Sequence, residues 1–261
     1  MPPTQHEKGA DFRAMHEGEP FVIPNPWDAG SASVLEGLGF KALATTSSGF
    51  AFTLGRRDGA ATLDEVVDHV AVLAGATSLP VSVDLEDGHG ADPGLAIARV
   101  AEAGAVGASI EDWDRERLYG LDEAVERVSA AVAAARAVGF PFTLTARAEN
   151  FIRGNPDLED TIVRLQAFET AGADVLYAPG LSDLEDIRAL CGAVGKPVNV
   201  LARPNLTFDE LVEKGAQRVS VGGALTWAAT QALVDAATAI RDRGDFSLLG
   251  TSPPADWLAS P

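Results

Sequence analysis

The chain has 261 residues, 46% hydrophobic and 22% charged, enough apolar material for a sizeable core and too much for a disordered tail. With 38 acidic residues against 20 basic, the formal charge is −18 and no basic cluster offsets it, so phosphate backbones and anionic lipid surfaces are repelled. No apolar run is long enough to cross a bilayer, the first residues lack the order of a signal peptide, and the single Cys191 cannot form an internal disulfide. The expectation is a cytoplasmic protein with neither nucleic acid nor membrane as partner.

Residues 1–20 read as a helix and lead-in. Eight short β-branched runs follow, at 21–25, 41–46, 80–85, 107–111, 142–147, 175–178, 197–201 and 218–221. Between them lie Ala-rich amphipathic stretches at helical spacing, such as 93–103, 121–138, 157–171 and 208–214. The junctions EGLGFKAL, EAGAVGASI, TAGADVLYA and EKGAQRVSV repeat one form, in which Gly ends a helix and the next residues extend into a strand. Strand starts lie roughly 20 to 40 residues apart, the length of a helical crossover, so parallel strands are predicted. Eight such units predict a single (β/α)8 TIM barrel over 1–244. An open doubly wound sheet is the runner-up, but no Gly-rich dinucleotide turn follows any strand. The Pro-rich tail at 245–261, with Trp257 and Leu258, either frays or docks on a neighbouring subunit.

A TIM barrel builds its active site at the C-terminal ends of the strands. There the first strand offers Trp27 and Asp28, the second Thr46, Ser47 and Ser48, and the third the loaded segment VDLEDGHG. The fourth ends in SIEDW, the fifth in TARAEN, the sixth in APG, the seventh in ARPN and the eighth in GGALTW. Side chains alternate along a strand, which points Ser82, Asp84 and Glu86 inward, with Ser109 and Glu111 on the fourth strand and Thr145 and Arg147 on the fifth. Three carboxylates and an arginine thus converge. Carboxylates that close repel one another, and a hard divalent cation with oxygen ligands offsets this. Mg²⁺ fits best, because it accepts few protein ligands and keeps waters for substrate, and Mn²⁺ suits the same donors. Zinc is disfavoured, since Cys191 lies on a predicted helix and no two His residues have ligand spacing.

Asp87, Asp112 and Asp114 are expected to cap helices. Arg147 reads either as a salt-bridge partner of Asp84 or as a clamp for a substrate carboxylate. His89 reads equally as loop packing or as a proton-transfer group. None of Lys8, Lys41, Lys196 and Lys214 falls at a strand end, which disfavours a Schiff-base aldolase, and Cys191 is equally misplaced for a nucleophile. Gly222 and Gly223 offer a weak phosphate-site signal or merely room for a helix to pack.

From about Phe21 to Ala228 these residues, in this order, resemble the phosphoenolpyruvate mutase/isocitrate lyase superfamily. The likeness rests on PNPWDAGSASVLEGLGFKALATTSSG, on VDLEDGHG for a D-x-D-x-G-Y-G form, on IEDW, on ARAENF for A-R-x-[DE], and on TAGADVLYAPGL. The resemblance implies a barrel whose last helix is swapped between subunits of a homodimer or homotetramer, Mg²⁺, and 2-oxo or 2-hydroxy acids whose C–C or C–P bond is cleaved or formed. It implies that Asp84 binds the metal, that Glu86 stands where Asp is usual, and that Glu111 is a metal-side acid. Arg147 matches the arginine contacting substrate, and Ser47, Ser48 and Gly49 match the segment holding the carboxylate and oxo oxygens. Trp27 matches an aromatic wall, Asp58 in LGRRDGA a mobile-segment acid, and Asn199 a polar substrate contact.

The departures narrow the activity. Lyases of this superfamily carry a K-[KR]-C-G-H loop after the fourth strand, with a catalytic Cys, and the mutases carry a Lys and an Asn there. Here that region reads DWDRERLYGLDE. The shorter loop leaves a wetter site, better suited to decarboxylation or hydrolytic release than to recombination of a reactive enolate. The leading expectation is therefore a Mg²⁺-dependent lyase or decarboxylase acting on a small 2-oxo or 2-hydroxy dicarboxylate through a metal-stabilised enolate, with Arg147 fixing the carboxylate and His89, Glu149 or water moving the proton. The alternatives are phosphonomutase or phosphonopyruvate-type C–P chemistry, and a 2-oxo acid binding protein with little catalysis.

Overall fold

A computed structural model describes residues 2–250. The elements alternate as α1 (Gln5–Met15), β1 (Phe21–Ile23), α2 (Ala29–Gly37), β2 (Leu43–Ala44), α3 (Ser47–Thr53), α4 (Leu63–Ala76), β3 (Val81–Asp84), α5 (Pro93–Glu102) and β4 (Gly107–Glu111). They continue as α6 (Leu121–Ala137), β5 (Thr143–Arg147), α7 (Leu158–Thr170), β6 (Val175–Tyr177), α8 (Leu184–Ala193), β7 (Val198–Leu201), α9 (Phe208–Glu213), β8 (Arg218–Ser220) and α10 (Ala224–Arg243). Helix starts follow their chemistry: Asp92 caps α5 by accepting from Leu95 N–H, with Pro93 in the first turn, and Thr62 and Thr207 head capping boxes with Glu65 and Glu210.

All eight strands are parallel, in the order β1-β8-β7-β6-β5-β4-β3-β2, which makes the expected (β/α)8 barrel. Between β1 and β2 there is no ladder, but the Ala44 N–H donates to Pro24 O at 3.1 Å and Asn25 Nδ2 donates to Thr45 O at 2.9 Å, which stitches the seam. Most strands are shorter than the sequence runs. Hydrogen-bonded pairing stops where the curving strands splay toward their loops, and β2, with a ladder on one side only, keeps just two residues of the expected 41–46.

Strand alternation sorts the side chains as predicted. Val83, Leu144, Leu176 and Val198 face the helices in the main core, and Leu144 and Leu176 are fully buried. Burying a side chain of that size contributes about 1.5–3 kcal/mol. On the inner face, Glu111, Arg147, Tyr177, Asn199 and Arg218 stand in register across five neighbouring strands, so one polar row crosses half the barrel. Helix α1 closes the bottom, where Phe12 is buried against Gly107; a Cβ on Gly107 would meet the Phe12 ring and Thr143 O at 2.8 Å. At the other end of the chain, α10 buries only Thr226 and Ala239 and leaves Leu233 65% exposed. Residues 251–261, with Trp257 and Leu258 and most of the expected docking tail, lie outside the described residues.

Candidate active site

The strand ends open into two adjoining cavities. The first, of 220 Å³, descends into the barrel between Ser47, Ser48, Asp84, Arg147, Asn199 and Arg218. The second, of 340 Å³, lies toward the loops after β3, β4 and β5, and takes in Glu86, Glu111, Trp113, Arg115 and Arg153. Ser47, Asp58, Arg147 and Ile152 border both.

Arg147 is the hub between them. Its Nη1 donates to Asp84 Oδ1 at 2.6 Å, its Nε and Nη2 reach Glu149 Oε1 at 3.0 and 2.8 Å, and Nη2 also lies 3.2 Å from Glu111 Oε2. Of its two sequence readings, the salt-bridge role is the one this geometry shows. Its Cζ sits 5.3 Å over the Tyr177 ring. Burial works against its charge, but Glu149, Asp84 and Glu111 outweigh that and hold its pKa well above the ordinary value.

Asp84 is fixed from several sides. It accepts from Arg147, from the Ser47 N–H at 3.4 Å and from Ser109 Oγ at 3.4 Å, while its own N–H donates to Thr45 Oγ1 at 2.9 Å. Burial would raise its pKa, yet Arg147 brings it below the usual carboxylate value. Glu86 behaves oppositely: burial, then the charges of Asp84 and Asp58, push it up to about 8. Glu111 is also raised well above the ordinary value, by burial first, with Glu149 and Asp84 adding to it against the pull of Arg147.

The segment after β3 makes a tight reversal, with Glu86, Gly88, His89 and Gly90 all at positive φ. Glu86 is therefore no longer on the strand, and the turn rather than strand alternation aims it into the second cavity. The same turn puts His89 behind Glu86, outside both cavities. Its Nδ1 donates to Ala61 O at 3.0 Å and burial lowers its pKa, which is the packing role of the two read from the sequence.

The other expected residues divide. Ser47, Ser48, Asn199 and Asp58 line the first cavity; Trp27 and Gly49 do not. Gly49 is buried, and a Cβ there would meet Thr226 Oγ1, Thr46 Cγ2 and Trp27 Cβ, so the start of α3 packs closely on Trp27, which is not among the residues lining either cavity. Asn25 occupies the place at the end of β1 that the sequence reading gave to Trp27 and Asp28, and its Oδ1 accepts from the Val221 and Gly222 N–H groups at 2.9 Å. Asp28 caps α2. The expected helix caps at Asp87, Asp112 and Asp114 are corrected as well. Asp87 faces Arg115, Asp112 accepts from the Glu149 N–H and pairs with Arg164 at 3.0 Å, and Asp114 holds a turn. The cap of α5 is Asp92 and that of α6 is Gly120, so these three acids lie several residues before the helix starts.

Sequence reasoning missed Arg115 and Arg153. Arg115 sits in DWDRERLYG, a segment read mainly for the Lys and Cys it lacks, and Arg153 follows Arg147 by six residues past a single 3₁₀ turn (Asn150–Ile152). An arginine surplus in loops at an acidic mouth was the available signal.

Among the described residues no three acidic, His or Cys side chains are spaced to grip one ion together. The carboxylates Asp84, Glu86 and Glu111 instead line neighbouring walls around Arg147. That donor set still fits Mg²⁺, which is bound through one or two carboxylates and keeps several waters. All its donors are hard oxygens, and Glu86 and Glu111 are pushed up by burial first and by neighbouring carboxylates after it, a penalty that a bound cation would offset.

The chain is similar to several known proteins over most of its length. A crystal structure of a candidate lyase/mutase from Burkholderia cenocepacia J2315 is 50% identical and superposes with a TM-score of 0.95, over 98% of this chain and 97% of that one. A 2-methylisocitrate lyase of Halalkalibacterium halodurans is 28% identical over 92% of this chain and 80% of its own length. An oxaloacetate decarboxylase of Bradyrhizobium sp. is 29% identical over 83% and 78%. The family described as phosphoenolpyruvate phosphomutase matches residues 12–241. With the parallel barrel, the acidic mouth and that match agreeing, the chain belongs to the phosphoenolpyruvate phosphomutase family, within the phosphoenolpyruvate mutase/isocitrate lyase superfamily.

Proposed function

We propose that this chain is a Mg²⁺-dependent lyase or decarboxylase that breaks a carbon–carbon bond in a small 2-oxo or 2-hydroxy dicarboxylic acid. The observation that carries this reading is the pairing of Asp84 with Ser47 N–H and Arg147 at the floor of the mouth. Hard anionic oxygens for a cation stand there beside the Ser47 and Ser48 hydroxyls, donors for a carboxylate. No lysine or cysteine lines either cavity among the described residues, and burial pushes the Cys191 thiol on α8 up to about 11. Covalent catalysis through an amine or thiol is therefore disfavoured. The relatives named 2-methylisocitrate lyase and oxaloacetate decarboxylase support both substrate class and bond.

Asp84, Glu86 and Glu111 are the residues that would hold Mg²⁺, with Mn²⁺ suited to the same donors, and the bound ion supplies positive charge where negative charge develops as the bond breaks. Ser47 and Ser48 line the first cavity and would offer their hydroxyls to the carboxylate end of the acid, the Ser47 N–H being held by Asp84. Arg147 keeps Asp84 ionised and oriented. Asn199, with its side-chain oxygen accepting from Arg218 Nε at 2.8 Å and its Nδ2 donating to Ser220 Oγ at 2.9 Å, fixes the far wall of the first cavity.

We also propose that the protein works as a homodimer or homotetramer in which α10 packs on a second copy, since this helix leaves Leu233, Val234 and Trp227 exposed on its own subunit.

Time-resolved ¹H and ³¹P NMR with Mg²⁺ and a pool of oxaloacetate, substituted malates, methylisocitrate and phosphonopyruvate tests the activity. The expected result is metal-dependent loss of one carbon acid, slowed about 100-fold or more in Asp84→Asn and Arg147→Met and abolished by chelator. Loss of phosphonopyruvate alone would replace this reading with C–P chemistry. Binding of pyruvate or 2-oxoglutarate without turnover of any compound would replace it with a binding role.

A further inference from the structure

The inference concerns the second cavity and rests on the 2-oxo or 2-hydroxy acid reading. A guanidinium has five N–H donors. In Arg147, Nε, Nη1 and Nη2 are all directed at protein carboxylates at 2.6–3.2 Å, so it has no free edge with which to take a substrate carboxylate in two parallel bonds. Any charge recognition of a second carboxylate has to come from another cation.

Two others face the same space. Arg115, 39% exposed, meets Asp87 and Glu86 through Nη2, at 3.4 and 3.8 Å, and the same nitrogen lies 3.3 Å from His89 Nδ1. Arg153, 32% exposed, meets Glu149 and Glu111 through Nη2, at 3.1 and 3.7 Å. Nε and Nη1 of both meet no acceptor among the described residues, so each guanidinium offers single N–H donors on either side of its engaged Nη2. Neither arginine dangles. Arg153 lies 5.0 Å over the Trp113 ring, a stacking contact that holds its plane. Arg115 has φ 79 in a turn held shut by Asp114 Oδ1, which accepts from the Glu116 and Arg117 N–H groups at 2.9 and 2.7 Å, and by the antiparallel bridge between Trp113 and Leu118. A non-glycine residue in that conformation is costly, and the turn pays the strain for placing this guanidinium at the cavity wall. The acids Asp58, Glu86 and Glu111 face the same cavity, and Glu86 and Glu111 are among the residues that would hold the metal.

We propose that the second cavity is the subsite for the distal carboxylate of the substrate, gripped by Arg115 and Arg153 from the loops after β4 and β5, and that these two residues make the protein select diacids over monoacids. The first cavity takes the 2-oxo or 2-hydroxy end beside Ser47 and Asp84. The chain of the acid passes Arg147, and its second carboxylate meets the two loop arginines. The short loop after β4 thus supplies a specificity-determining residue in place of a longer lid.

Isothermal titration calorimetry in Mg²⁺ compares 2-oxoglutarate with 2-oxobutyrate, which has one carboxylate, on wild type, Arg115→Met and Arg153→Met. The wild type is expected to bind the diacid about tenfold or more tightly than the monoacid. Each variant should lose most of that preference while its monoacid affinity and melting temperature stay unchanged, and Arg153→Lys should restore part of it. A diacid preference that survives in both variants, or diacid and monoacid affinities that fall together, would overturn the subsite. If the wild type binds both acids equally, the subsite alone fails. If it binds neither, the functional reading fails and the subsite with it.

Discussion

His16 shows how one side chain joins the barrel floor to its lowest helix. Its Nδ1 donates to Phe12 O at 2.7 Å, so its Nε2 is left to accept from Arg218 Nη1 at 3.1 Å, an arrangement open only to the neutral ring. Burial, then the Arg218 charge, lowers its pKa to about 3. A folded value below the unfolded one means that the unfolded chain takes up the proton first. The stability linked to His16 is therefore complete above pH 6.5 and is lost as pH falls from there toward 3, at about 1.4 kcal/mol per unit. Urea unfolding at a series of pH values should show His16→Gln less stable than wild type at pH 7 but with a flatter decline between pH 6.5 and 4. Parallel declines in the two proteins would remove His16 from the acid response. Arg218 itself is buried with no carboxylate within ion-pair distance among the described residues, its three nitrogens meeting Asn199, His16 and Thr145, and burial lowers its pKa to about 10. At this scale the sequence was legible wherever alternation alone sets direction, as for Asp84, Glu111 and Arg147. It was not legible for Glu86 and His89, whose directions come from φ values of 48 and 55 in a tight reversal, nor for Trp27, whose Cβ packs closely on the buried Gly49.

Among the elements, helices came out close to their sequence limits because caps and terminal glycines are local signals. The strands came out shorter, because pairing depends on a neighbour that sequence periodicity does not show. The turn after β4 is the element with the most at stake for the site. Asp114→Ala removes two N–H···O bonds from an exposed turn, at a cost of about 1 kcal/mol, and frees Arg115 from its left-handed conformation. The variant should melt within a few degrees of wild type yet bind 2-oxoglutarate several-fold more weakly, a split that calorimetry and thermal unfolding together measure. Unchanged diacid binding would show that Arg115 does not need this turn.

For the whole molecule, α10 is the exception to an otherwise closed packing scheme. Seven strands are followed by helices that lie on the barrel with buried apolar faces, whereas α10 presents Leu233 and Val234 outward, and Phe246, Leu248 and Leu249 beyond it are exposed as well. An apolar face of this kind is normally covered. Sedimentation velocity should show a dimer or tetramer of the 27.1 kDa chain, and Leu233→Glu should shift it toward single chains. A wild-type protein sedimenting as one chain at micromolar concentration would leave α10 without the proposed partner.

The barrel, its eight parallel strands and the inward directions of Asp84, Glu111 and Arg147 follow from local information: two-residue alternation, glycine-ended helices and crossover lengths are written in neighbouring residues. Tertiary structure alone decided that Arg147 is engaged by Asp84, Glu111 and Glu149, that the mouth divides into two cavities, and that Arg115 and Arg153 meet there. Those outcomes depend on which loops from separate strands approach one another and on how burial and neighbouring charge divide protons among the carboxylates. No spacing along the chain encodes either.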